Sequence, residues 1–186
     1  MAHPHFLIVG LGNITHPMTR HSIGHLLIDV LSTRLGIPLT SDRGGFTATT
    51  NLQVEQNMVT LTFYKPRALM NISGRPTVQM LRKTAVNPAN MVVIHDSVSH
   101  KPFTISPKFG GSAGGHNGVR DIIAALGNNP DFHRLRLGVG RGAGDLADYV
   151  LGPLSTQERQ HWSVTGPGSE HVWRELTRII QKSLKT

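Results

Sequence analysis

Apolar and polar positions alternate in two different periods along this chain. The continuous apolar runs Phe6–Val9 and Val92–Ile94 each predict a strand buried on both faces. Between them, apolar residues recur at helical spacing from Thr19, the expected N-cap, to a stop at Gly36. Residues 58–64 instead alternate every second position, which predicts the second arm of a hairpin.

The second half of the chain continues this alternation of strands and helices. A helix is predicted from Ser73, and the Ser155 and Glu158 pair has the spacing of a capping box at the start of another. The other predicted elements are a short helix at 118–126, a strand at 135–139 and a last helix after Gly166-Pro167-Gly168. The pattern predicts an α/β fold in which a twisted mixed β-sheet is flanked by α-helices, as a single domain over residues 1–186.

Composition adds a preference for polyanionic partners. The 186 residues include 19 Lys and Arg against 11 acids, a formal charge of +8, which favours nucleic acid first and an anionic membrane surface second. A basic row on the last helix, Arg174, Arg178 and Lys182, fits a solvated face and a nucleic-acid contact equally well.

The absence of cysteine excludes disulfides, thiol catalysis and Cys-ligated metal. No apolar run is long enough to cross a bilayer, and we expect no signal or transit peptide.

The sequence matches three known functional motifs only in part. Gly10-Leu11-Gly12 follows a strand, but the third glycine of a dinucleotide fingerprint would fall at Thr15. His21 and His25 have zinc-helix spacing without the intervening glutamate, so His25 is expected to be an exposed helix residue. Ser112 lies in a Gly-x-Ser-x-Gly pattern without a strand directly before it or a helix directly after it, so a serine nucleophile is not favoured.

The remaining candidate is a set of residues that could catalyse hydrolysis. His21 lies at a predicted helix N-terminus, Asp96 lies at the end of a strand, and asparagines occupy two loops. A neutral imidazole can accept a proton from water, a carboxylate can fix its tautomer, and amides can hold the water or a developing oxyanion. The helix N-terminus would lower the pKa of His21 and Asp96 would raise it, leaving a usable base. Spacing alone does not distinguish this set from a chance pairing in an α/β protein.

The chain resembles bacterial-type peptidyl-tRNA hydrolases through blocks in family order. The blocks are Val9-Gly10-Leu11-Gly12-Asn13 with Thr19-Arg20-His21, Lys65-Pro66 with Met70-Asn71-Ile72-Ser73-Gly74, Val93-Ile94-His95-Asp96, Gly114-Gly115-His116-Asn117-Gly118, Arg134 to Arg141, and Asp148-Tyr149-Val150-Leu151. Departures include Ile14-Thr15 for the usual Pro-Gly, Ser22 for an asparagine and Ser106 at an often basic position.

The resemblance implies hydrolysis of the ester that joins a peptide to the 3′-terminal ribose of tRNA, by a monomer without metal or cofactor. The implied roles are catalytic for His21, Asp96 and Asn117, substrate-binding for Asn13, Asn71, Met70 and His116, and tRNA-binding for Lys108 and Arg136. The partner would be the acceptor stem and 3′ end of peptidyl-tRNA, and the location the cytoplasm or, alternatively, the mitochondrion. The alternative function is that of a non-catalytic RNA-binding relative, since the same fold serves intron splicing in plastids.

Overall fold

A computed structural model describes residues 2–186, which form one sheet with helices on both faces. Its strands are β1 (His5–Gly10), β2 (Thr40–Asp42), β3 (Gly45–Val54), β4 (Asn57–Pro66), β5 (Met91–Ser97), β6 (Ile105–Phe109) and β7 (His133–Gly138). Its helices are α1 (Ile23–Arg34), α2 (Gly74–Thr84), α3 (Asn117–Ala125), α4 (Leu146–Leu151), α5 (Thr156–His161) and α6 (Pro167–Ser183), with short 3-10 helices at Arg20–Ser22, Met70–Ile72 and Pro88–Asn90. In the part of the chain so described, no helix has the length and hydropathy to cross a membrane.

The strand order is β2-β3-β4-β1-β5-β7-β6. Strands β4, β1, β5 and β7 are parallel neighbours, whereas β2, β3 and β6 pair antiparallel. The predicted mixed sheet is therefore confirmed. Because parallel strands end at the same edge, the loops after β4, β1 and β5 open side by side, where α/β proteins place their binding sites.

The sheet is buried on both faces, as the apolar runs predict. Phe6 and Ile8 belong to one core cluster with α1 and α6, whereas Leu7 and Val9 belong to the other, with α2 and α3. Successive side chains of a strand point to opposite faces, so a strand covered on both sides must be apolar throughout. The same reasoning accounts for β5.

Two local expectations differ from the structure. Thr19 makes no capping hydrogen bond; its hydroxyl donates to the His16 carbonyl at 2.9 Å, and the helix begins with a 3-10 turn before α1. Strand β6 is not predicted, because Pro107 interrupts any strand pattern. A proline is compatible with β6 because the strand lies at the sheet edge, where a main-chain donor can be dispensed with. The Ser155 and Glu158 capping box is confirmed.

His25 is buried, so its expected exposure is wrong. Its side chain packs under the turn that follows β1: a Cβ added to Gly12 would lie 2.6 Å from the His25 Cγ. The residue is 5% exposed, and its Nε2 has no hydrogen-bond partner in the described chain. Burial, reinforced by the charge of Lys65, lowers the pKa of His25 to about 3.

This burial predicts a specific loss of stability in acid. Below pH 6.5 the unfolded chain binds a proton at His25, and the folded chain does not until about pH 3, so folding weakens as the pH falls through this window. Between pH 7 and 5, the wild type should lose about 2 kcal/mol more than His25→Leu. Urea unfolding of both proteins at the two pH values measures the difference. Parallel losses would show that His25 is protonated in the folded state.

Candidate active site

Three neighbouring loops bring most of the predicted site together. Asn13 follows β1, Asn71 follows β4, and Asp96 lies near the end of β5. His21 reaches Asp96 from the 3-10 turn that precedes α1, and His116 reaches it from the end of the glycine loop before α3. The sheet order therefore explains why residues far apart in sequence converge.

Asp96 is held between two histidines. Its Oδ2 lies 2.9 Å from the His21 Nδ1, and its Oδ1 lies 2.8 Å from the His116 Nε2. The main-chain N–H of Val119 donates to the His116 Nδ1 at 3.3 Å, so it is the Nε2–H of His116 that donates to Asp96. The Nδ1–H of His21 likewise donates to Asp96, which leaves the His21 Nε2 as a free acceptor.

The pKa shifts follow from this arrangement. Burial lowers the pKa of His21, but the hydrogen bond and charge of Asp96 outweigh it, so the pKa is raised above 6.5. Burial raises the pKa of Asp96, but the hydrogen bonds and charges of His116 and His21 hold it well below its usual range. Asp96 is therefore ionised near neutrality, while His21 can change protonation state there.

His95 supports the network from inside the sheet and was missed by sequence reasoning. Its Nδ1 lies 2.7 Å from the Asp96 carbonyl, and its ring centroid lies 4.5 Å from that of His116. Burial, with the charge of His116, lowers its pKa well below 6.5. The only signal in the sequence is its place beside Asp96, which does not reveal the contact with His116.

Asn13 and Met70 tie two loops together. The Asn13 Oδ1 accepts the Met70 N–H at 2.7 Å, and the Asn13 N–H donates to the Ser22 hydroxyl at 2.9 Å. Met70 is only 3% exposed, and its sulfur packs against Gly118. Ser22 thus positions the Asn13 loop.

Asn71 and Asn117 differ from Asn13 in being exposed. Asn117 begins α3, and its Oδ1 accepts a hydrogen bond from Arg120 at 3.2 Å, which leaves its amide N–H2 as a donor. Because both residues are exposed, both amides are accessible to a bound molecule.

The glycine loop follows β6 and is shaped by left-handed backbone. Gly110, Gly111, Gly114 and Gly115 have φ of 68°, 79°, 59° and 84°, conformations that residues with a Cβ resist. The buried Arg134 donates to the Ser112 carbonyl at 2.7 Å and so holds the loop to β7. Ser112 lies in mid-loop and not at a strand-to-helix elbow, in agreement with the expectation from its flanking residues.

Lys108 and Arg136 lie on the strands beyond β5. Arg136 is the register partner of His95 on one side and of Ser106 on the other. Its guanidinium donates to the Ser106 carbonyl at 3.1 Å and to the Ser106 hydroxyl at 2.6 Å. Lys108 and Arg136 are therefore two half-buried cations on the same side of β5, the strand that carries Asp96.

The same centre contains a possible metal donor set. One ligand atom each from His21, Asp96 and His116 lies within 4.8 Å of the others, and two imidazoles with a carboxylate suit several divalent first-row metals. Here both histidine nitrogens hydrogen bond to the carboxylate. The expectation that no metal takes part stays a prediction.

Several known proteins that are similar to this chain are peptidyl-tRNA hydrolases. The sequence profile of a family described as peptidyl-tRNA hydrolase matches residues 7–186. Peptidyl-tRNA hydrolases of Mycobacterium marinum and Escherichia fergusonii are 41% and 39% identical, over 86% and 83% of this chain and 83% and 80% of their own lengths. The crystal structure of peptidyl-tRNA hydrolase from Acinetobacter baumannii superposes with a TM-score of 0.81 at 30% identity, covering 100% of this chain and 93% of that one.

Proposed function

The chain belongs to the peptidyl-tRNA hydrolase family, and from this premise we propose that His21 is the general base of its reaction and Asp96 the group that orients it. The enzyme hydrolyses the ester between a peptide and the 3′-terminal ribose of tRNA and releases tRNA for reuse. None of the findings favours the non-catalytic RNA-binding alternative.

The observation that carries the proposal is the hydrogen bond of 2.9 Å between the His21 Nδ1 and Asp96. It leaves Nε2 to take a proton from water, and the 18% exposure of the His21 side chain gives water access. The water oxygen then bonds to the carbonyl carbon, the bond to the ribose oxygen breaks, and the proton passes from Nε2 to that oxygen. Release of N-acetylaminoacyl groups from tRNA by variants of these two residues tests it.

The remaining side chains divide into donors and supports. The exposed amide of Asn117 would position the water or stabilise the oxyanion, and the exposed amide of Asn71 would hold the peptide end of the ester. Asn13 and Met70 would help to bind the substrate indirectly, because their hydrogen bond holds together the two loops that would surround it. His116 would orient Asp96 through the hydrogen bond at 2.8 Å in addition to contacting substrate.

Lys108 and Arg136 would bind phosphates of the tRNA acceptor stem and 3′ end. The formal charge of +8 and the position of both residues on β7 and β6, the two strands beyond β5, support this role. On the basic row of α6, Arg178 is paired with Glu175 at 2.7 Å, so part of that row already has a local partner.

Replacing Lys108 or Arg136 by alanine should therefore weaken tRNA binding with little effect on a minimal ester substrate. Each loss should lower the slope of log affinity against log salt by about one, because one phosphate contact is removed. Filter binding of deacylated tRNA across salt concentrations measures the slope. Arg82→Ala, an equal charge loss at the exposed end of α2, is the matched control. Equal damage to tRNA and minimal substrates would contradict the phosphate role.

We further propose that the enzyme works as a single domain, as a monomer, without metal or cofactor, in the cytoplasm. The family profile over residues 7–186 supports one domain, and the bacterial relatives support the cytoplasm over a mitochondrion. A base, an orienting carboxylate and amide donors, all from the chain, suffice for this hydrolysis.

A further inference from the structure

An arginine-rich groove lies beside the active site and has no part in the mechanism above. It encloses about 730 Å³ between the β2–β3 turn, the segment after β4, and helices α2 and α3. Three of its walls carry arginine, namely Arg43, Arg67 and Arg75, while Ile72 and Pro76 supply apolar surface. Ile72 is 55% exposed, so its apolar side chain is open to a bound molecule.

The charge of the groove is not neutralised by the protein. Within residues 2–186, none of the three guanidinium groups has a carboxylate within 4.0 Å. One acid, Asp121, also lines the groove, but its Oδ2 accepts the Gly74 N–H at 2.7 Å. The nearby Asp42 carboxylate is paired with Lys83 at 2.6 Å. The lining therefore carries three cations and one carboxylate, a net charge of +2 that favours an anionic ligand.

One of the arginines is already held in place. Arg67 donates to the Ser41 hydroxyl at 2.9 Å, and its guanidinium lies 4.9 Å from the centre of the Phe46 ring. An arginine so held loses less side-chain entropy when it binds a carboxylate, which favours a specific contact over a diffuse one.

The position of the groove decides which anion it meets. Ile72 directly follows Asn71, and Asp121 lies one helical turn after Asn117, so the groove begins where the proposed ester site ends. Lys108 and Arg136 lie on β6 and β7, on one side of β1 and β5, whereas the arginine groove lies on the other side, by β4 and the β2–β3 turn. A tRNA bound by Lys108 and Arg136 would therefore leave the arginine groove free for the peptide.

We propose that this groove binds carboxylate side chains in the peptide part of the substrate, close to the ester, and so gives the enzyme a preference for acidic peptides. The proposal rests on the function assigned above to His21, Asn71 and the tRNA-binding pair. The groove would then be a specificity site in which Arg67 and Arg75 bind the carboxylates.

Two substrates that differ only in charge test the proposal. Acetyl-Glu-Glu-Ala-tRNA and acetyl-Gln-Gln-Ala-tRNA share tRNA, shape and C-terminal residue. The wild type should prefer the glutamate substrate in kcat/KM by about 3- to 10-fold, as expected for one or two exposed ion pairs, and less so at high salt. In Arg67→Gln/Arg75→Gln the ratio should fall toward one, whereas Arg82→Gln, at the far end of α2, should keep the wild-type ratio.

The experiment distinguishes peptide binding in the groove from RNA binding there. A wild-type ratio of one, or a ratio unchanged in the double variant, overturns the proposal. Equal loss on both substrates, together with weaker binding of deacylated tRNA, assigns the groove to RNA and also overturns it. The ratio compares two substrates of one enzyme, so it does not depend on which residue is the base; full activity of His21→Ala would defeat the proposed base and leave the ratio standing.

Discussion

Replacement of His21 by alanine is expected to lower kcat for peptidyl-tRNA hydrolysis by about 10²- to 10⁴-fold, the usual contribution of a general base. The affinity for tRNA should change little, because the imidazole contacts Asp96 and lies outside β6 and β7, the strands proposed to bind tRNA. Single-turnover release of N-acetylaminoacyl groups measures the chemical step directly. His21→Gln, which keeps a polar side chain without a base, should be equally slow.

The wild-type pH profile supplies an independent check. His21 acts as a base only when neutral, so activity falls as the pH is lowered through its pKa. Because Asp96 raises that pKa above 6.5, the acidic limb should have its midpoint above pH 6.5. Ser112→Ala, a change in the neighbouring glycine loop, should retain both rate and profile. Normal activity in His21→Ala, or loss of activity in Ser112→Ala, would overturn the assignment.

Replacement of Asp96 by asparagine is expected to lower kcat by up to about 10⁴-fold, because the amide no longer fixes the tautomer that leaves the His21 Nε2 free. It should also move the acidic limb of the residual activity to lower pH. Burial alone then acts on His21 and lowers its pKa, since the hydrogen bond and the charge that raise it are removed.

The direction of that shift distinguishes orientation from simple structural damage. A disrupted site would lose activity without a systematic displacement of the pH profile. Thermal unfolding of Asp96→Asn beside the wild type reports the structural effect separately, and His116→Ala, which removes the second hydrogen bond to Asp96, should show a smaller loss. An acidic limb that stays in place or moves upward would contradict the proposed coupling.

Local sequence was sufficient where a contact is short-range or a pattern is periodic. The buried strands, the hairpin of β3 and β4, the Ser155 and Glu158 capping box and the mixed α/β fold are all confirmed. The family resemblance likewise led to the reaction. Placement of Asp96 at the end of a strand follows from the apolar run before it, because that run must be buried between two layers.

Local sequence was insufficient where burial depends on distant segments. The expected exposure of His25 was wrong because Gly12 lets α1 pack closely under the turn after β1, a contact between different elements. Strand β6 was missed because Pro107 is acceptable only at an edge, and a strand's place in the sheet is not a local property. Ser22 could not be foreseen as a support for Asn13, because the two lie in different turns.

The sequence by itself determined most of the strands and helices, that both faces of the sheet are covered, that the protein is basic and which family it resembles. Those properties depend on periodicity, composition and ordered motifs, all of which are present in the unfolded chain. Only the tertiary structure decided that Asp96 lies between His21 and His116, that Asn13 joins two loops, and that three arginines line one groove. Each of these requires side chains tens of residues apart to meet, and strand order and helix packing alone determine whether they do.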